Sequence, residues 1–119
     1  MKEDNQILQK SKSFAVRIIR LSQHLTEEKK EKVLSRPVLR SGTSIGANIR
    51  EAQYAHGKAD FIAKLQIALK EANETGYWLE LLLKTNYISE NQFKELDKIC
   101  TGLRAMLVAS INTAKGNVK

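Results

Sequence analysis

The run Leu39-Arg40-Ser41-Gly42-Thr43-Ser44-Ile45-Gly46-Ala47-Asn48-Ile49-Arg50-Glu51-Ala52 mixes residue types that seldom share a helix, yet its apolar positions require one. Leu34, Val38, Ile45, Ile49 and Ala52 fall within an arc of about 60° at 100° per residue. Arg36, Arg40 and Arg50 fall within about 80° on the opposite side at the same pitch. Gly42 and Gly46, four apart, each cost about 1 kcal/mol against alanine in a helix interior. Close approach of a neighbouring helix is the compensation expected for them. Pro37 suits the first turn of this helix, and Gly57 reads as its stop signal.

The same period extends in both directions. Ile7, Phe14, Ile18, Leu21 and Leu25 form one narrow stripe, which predicts a first helix over about 5–26. The polar run from Thr26 to Lys32 has no stripe and reads as a connection. The second helix is expected over about 34–56 and the third over about 58–85. In the third, Phe61, Leu65, Ala68, Ala72, Leu79 and Leu83 make one apolar arc. Ile67, Trp78 and Leu81 make a second, more than a quarter turn away. A helix apolar on two sides needs two neighbours, or one neighbour and a partner chain. Ser89 and Gln92 form a capping box ahead of Phe93. A fourth helix therefore follows over about 89–114, with Phe93, Leu96, Cys100, Leu103, Leu107 and Ser110 at 3–4 spacing. The polar tail from Thr113 to Lys119 is expected to fray. Four helices on short links imply an all-α domain, an antiparallel up-down-up-down four-helix bundle spanning 1–119.

Composition narrows the function classes. The chain has 119 residues and a net charge of +7. Residues 1–60 carry 12 Lys+Arg against 7 Asp+Glu, whereas residues 61–119 carry 8 against 6, so the excess lies in the first half. Lys10, Lys12, Arg17 and Arg20 follow one another with no acid between them. A basic balance favours polyanions, and it also serves solubility alone. One cysteine excludes an internal disulfide framework and a cysteine-cluster zinc site. No apolar run approaches the ~20 residues of a membrane span, so no membrane partner is expected. The start, MKEDNQILQK, has two acids and no apolar run; it does not read as a secretory signal, and the expected compartment is the cytoplasm.

The run from Arg40 to Ala52 resembles a signature of a small bacterial four-helix-bundle family. The family includes proteins encoded in intervening sequences of 23S ribosomal RNA genes and the accessory variability determinant of diversity-generating retroelements. Its pattern is approximately R-S-x-x-S-I-x-x-N-I-x-E-G. Arg40, Ser41, Ser44, Ile45, Asn48, Ile49 and Glu51 match it, and Ala52 stands where glycine is usual. A second block, Phe61 followed by Ile67 to Leu79, and the late Met106-Leu107 are also similar. The resemblance spans about Phe14 to Ile111. It implies a left-handed bundle assembling as a homopentamer and brings no catalytic residues. Members tied to retroelements are similar to basic barrels that bind nucleic acid and a reverse transcriptase, so either is an implied partner.

Catalytic and cofactor readings find little support. Glu71 and Glu74 share a helical face, but a bundle di-metal site also needs Glu-x-x-His on two helices. His56 follows Glu51 by five, and His24 has no carboxylate three positions before it. These acids are instead expected to meet Arg40 or Asn48 of the second helix, because a buried charge requires a partner. Ser41, Ser44 and Asn48 step by 3 and 4 beside the apolar arc. With Arg40, Glu51, Glu71 and Glu74 they are expected to form an interhelical polar network. No phosphate-cradling glycine loop is present, so no cofactor is indicated. Cys100 sits at core spacing. The candidate nucleic-acid contacts are Lys10, Lys12, Arg17, Arg20, Arg36 and Arg50, since guanidinium and ammonium groups track phosphates without reading sequence. The expected function is thus a non-enzymatic, basic, oligomeric accessory protein. The alternative is a protein-interaction scaffold whose charge only keeps it in solution.

Overall fold

The computed structural model describes residues 2–116, with side chains from Gln6 onward. Four helices follow in order: α1 (Lys2–Glu27), α2 (Ser35–Gln53), α3 (Lys58–Lys84) and α4 (Glu90–Lys115). A 26-residue helix spans about 39 Å at 1.5 Å per residue, which matches the long dimension of a rod 45 × 25 × 20 Å. The helices pack around a square: α1 on α2, α2 on α3, α3 on α4, and α4 back against α1, the loosest of the four seams. The chain is an all-α four-helix bundle, with no strand among the described residues.

The core is one continuous cluster that takes the inward stripe of every helix. Phe14, Ile18, Leu25, Ile45, Leu79, Leu82 and Leu107 are fully buried. Each such side chain contributes about 1.5–3 kcal/mol on leaving water. Where α1 meets α2, the glycines of α2 admit α1 at close range. A Cβ at Gly42 would lie 2.7 Å from Ile18 Cγ2, and one at Gly46 would lie 3.1 Å from Ser11 Oγ. The closeness of that seam offsets what the two glycines cost the helix.

The helix ends differ from sequence expectation in two places. Helix α2 stops at Gln53, with Tyr54 as its C-cap, rather than running to Gly57; Gly57 is the N-cap of α3, in extended backbone. The stop comes first because the Tyr54 and Ala55 amides already turn back to the Glu51 and Ala52 carbonyls. The start of α2 has no side-chain cap from its N-cap residue, Leu34. Glu31 replaces it. Its buried carboxylate accepts from the amides of Val33, Leu34 and Ser35 at 2.9–3.1 Å, satisfying donors that a helix start leaves orphaned. At α4 the expected capping box is present: Gln92 N donates to Ser89 Oγ and Ser89 N to Gln92 Oε1. Helix α4 continues to Lys115 and closes on Gly116 in the left-handed region, φ 76°. The rest of the expected fraying tail, 117–119, lies outside the described residues.

Candidate functional site

The signature residues of α2 gather along its seam with α3. Arg40 reaches across: its Nη1 lies 3.2 Å from Glu71 Oε1, and its Nη2 lies 2.8 Å from Glu74 Oε1. Glu71 is buried and Glu74 half-buried, while Arg40 stays largely exposed above them. Hydrogen bonding to Glu74, then the charge of Glu71, push the Arg40 guanidinium above its ordinary pKa. The side chain is therefore a fixed cation spent on two neighbouring acids. Beneath it, Thr75 Oγ1 lies 2.9 Å from Ser41 Oγ, and the Ser41 hydroxyl donates to the Pro37 carbonyl at 2.9 Å.

The polar network is smaller than the sequence suggests. Ser44 donates to the Arg40 carbonyl at 2.7 Å, and Asn48 donates to the Ser44 carbonyl at 2.9 Å, so both close on α2 itself. Short polar side chains inside a helix find the carbonyl four residues back before they find another helix. The Glu51 side chain is exposed and makes no hydrogen bond or ion pair among the described residues. The interhelical connections are therefore Arg40 with Glu71 and Glu74, and Ser41 with Thr75. Thr75 escaped the sequence reading; its only signal is a hydroxyl one turn after Glu71.

The same edge of α3 carries the second apolar arc. Ile67, Glu71, Glu74, Trp78 and Leu81 step by 4, 3, 4 and 3, which places them on one stripe. Ile67 is 39% exposed and neighbouring Tyr77 55% exposed, while Trp78 and Leu81 are half-buried. The Trp78 Nε1–H is buried and finds no acceptor among the described residues. Tyr77 and Trp78 meet edge to face, ring centroids 5.2 Å apart.

The candidate basic residues divide between faces. Lys10 and Arg17 line a trough of about 800 Å³ between α1 and α4, opposite Glu95, Lys98, Ile99, Gly102, Leu103 and Met106. Arg17 Nη2 is bound there to Glu95 Oε1 at 2.6 Å. Arg20 shares with Arg17 and His24 a smaller hollow of about 200 Å³ that adjoins the trough. Lys12 points elsewhere, about 140° around α1 from Arg17 at helical pitch. Arg36 and Arg50 are exposed on the outside of α2, about 21 Å apart along the axis at 1.5 Å per residue. Lys10, Lys12, Arg20, Arg36 and Arg50 form no ion pair among the described residues, whereas Arg17 and Arg40 do.

Among the described residues no group of three His, Cys, Asp or Glu side chains could hold a metal ion. Cys100 is buried in the core with its Sγ 3.2 Å from the Ala72 carbonyl. Burial pushes its thiol up to about 11, so the reactive thiolate is scarce near neutrality. No helix is long and apolar enough to cross a membrane among the described residues.

A four-helix bundle with a polar signature at its α2–α3 seam is the class this geometry defines. The chain belongs to the 23S rRNA-intervening sequence protein family, whose model matches residues 3–109. It is similar to a crystal structure of a protein of unknown function from the S23 ribosomal protein family of Bacteroides thetaiotaomicron VPI-5482. The two are 54% identical, covering 92% of this chain and 98% of that one, with a TM-score of 0.91. No curated protein matches the chain.

Proposed function

We propose that this chain is a non-enzymatic accessory protein of the cytoplasm that self-associates and contacts nucleic-acid phosphates without reading base sequence. One observation carries the reading. Lys12, Arg20, Arg36 and Arg50 are exposed and matched by no acid among the described residues, while two of the arginines nearest to acids, Arg17 and Arg40, are spent on them. Unpaired cations meet phosphates without first giving up an internal ion pair, and such contacts carry no sequence information. Lys10 and Arg17, which line the trough, fall outside this set.

Self-association is supported by the stripe of α3, where Ile67 and Tyr77 are exposed beside Trp78. Aromatic and arginine side chains of this kind are enriched where proteins meet. The number five comes from the family resemblance. Five copies at +7 would carry +35, and weak contacts on each copy would sum by avidity.

The test is titration of a structured RNA and an unrelated duplex at several salt concentrations, with light scattering on the same samples. The reading expects equal affinity for both and a steep loss with salt. It expects Arg36→Glu with Arg50→Glu to weaken binding of each equally. Salt-independent affinity, or unchanged binding by that double variant, overturns it. A monomer at micromolar concentration overturns the assembly. A second reading, a protein-interaction scaffold, is favoured by the open α1–α4 trough; it expects a protein partner and no nucleic acid after nuclease-controlled purification.

A further inference from the structure

The α1–α4 seam is unlike its counterpart on the other flank of α1. Half-buried Ile99 and Met106 give it an apolar floor over the buried Leu103, and Ser13 and Arg17 of α1 form the facing wall. Residues 95–106 of α4 run about 16 Å along it at 1.5 Å per residue, three helical turns. That is the form of a groove that receives the apolar face of another helix.

Gly102 supplies a second, separate observation. Gly42 and Gly46 are explained by the nearness of α1, and a Cβ at Gly76 would lie 3.4 Å from Arg104 Nη1. A Cβ at Gly102 would meet nothing within 4 Å, although the residue sits in the middle of α4 and on the lip of the trough. The chain itself makes no use of that missing side chain. A backbone approaching from outside would.

Charge selects the occupant. The rim holds Lys10, Arg17 and Lys98 against one acid, Glu95, which Arg17 already occupies. Lys10 and Lys98 have no ion-pair partner among the described residues. A nucleic acid would find no aromatic face on this floor to stack upon. A second copy presenting its α3 stripe would offer Lys10 and Lys98 no free carboxylate, since Glu71 and Glu74 on that stripe are already held by Arg40. We infer that the α1–α4 trough is a docking site for an acidic amphipathic helix of a partner protein. Apolar residues of that helix seat on Ile99 and Met106, its backbone passes Gly102, and its carboxylates meet Lys10 and Lys98.

The experiment titrates the full chain with a labelled helical peptide about four turns long, with leucines at i, i+3, i+4 and i+7 and glutamates on both flanks. A control peptide carries lysines in place of the glutamates, and a single-stranded RNA serves as competitor. The acidic peptide is expected to bind, and the lysine peptide to bind at least roughly tenfold more weakly. Gly102→Leu fills the trough without touching the core and is expected to cost roughly tenfold or more in peptide affinity, with helicity unchanged. Lys10→Glu with Lys98→Glu is expected to reverse the preference between the peptides. Absence of binding, equal binding of the two peptides, or full affinity in Gly102→Leu overturns the inference. Loss of self-association in Gly102→Leu assigns the trough to a second copy, and displacement of the peptide by RNA assigns it to nucleic acid; either overturns the inference as well. Unchanged RNA affinity in Gly102→Leu separates this result from the fate of the phosphate-binding reading.

Discussion

Helix α1 meets α2 and α4 with its two flanks, and the two seams are built on opposite terms. Against α2 the contact is close enough that a Cβ at Gly42 would clash with Ile18 and one at Gly46 would crowd Ser11. Against α4 the walls stand apart, the apolar floor is open to solvent, and the bridging contact is an exposed ion pair between Arg17 and Glu95. Each seam has a glycine near its middle. At Gly42 the missing Cβ is consumed by packing inside the chain, whereas at Gly102 it is not. A mid-helix glycine therefore has no fixed meaning; what stands opposite it decides whether it serves the core or a surface.

The largest effect that breaks the comparison is expected at Gly42. Its nearest neighbour is the β-branched, fully buried Ile18, which has no flexible end to move aside. Gly42→Leu is expected to cost about 3 kcal/mol through overpacking, read from denaturant midpoints. Next comes the α2–α3 seam, where Arg40 is held by two acids of the facing helix. Arg40→Ala leaves the buried Glu71 carboxylate without its guanidinium partner. It is expected to cost roughly 2 kcal/mol in the same measurement. Removing both acids with Glu71→Gln and Glu74→Gln should make the Arg40→Ala cost vanish, which a double-mutant cycle reads directly.

The open seam should behave in the reverse sense. Gly102→Ala meets no atom and gains helix propensity, so it is expected to stabilise the chain by about 1 kcal/mol and raise Tm by about 4 °C. Equal destabilisation by alanine at Gly42 and at Gly102 would erase the distinction between the seams. The smallest effect is expected for Arg17→Ala. Its pair with Glu95 is exposed on both sides, and such pairs contribute under about 1 kcal/mol and are screened by salt. A loss above that range, persisting at high salt, would mean that the ion pair rather than the core holds α1 to α4.

Much of the molecule was legible in local pattern. The 3–4 spacing of Ile7 to Leu25 marked the inward stripe of α1, and Ser89 with Gln92 marked the start of α4. Gly42 and Gly46 signalled a close neighbour. These features involve residues within a few positions of one another, where helical geometry fixes who faces whom. The end of α2 was misread at Gly57, since glycine opens helices as well as closing them. The cap of α2 was missed because Glu31 stands in a polar run whose acids all look alike until the turn folds three amides onto one of them. Asn48 and Ser44 have the spacing of an interface, but each donates to the carbonyl four residues back, Ser44 and Arg40 respectively.

By itself the sequence determined that this chain makes four amphipathic helices with a basic first half, because periodicity and charge are properties of the order of residues. Only the tertiary structure decided which cations are spent. Arg17 and Glu95 are 78 positions apart, and Arg40 lies 31 positions from Glu71. Whether such groups neutralise one another depends on how helices are placed around the bundle, and no local pattern encodes that. The same holds for the trough: an apolar residue on α4 is core or floor according to how near α1 comes, and that distance is set by the packing of all four helices together.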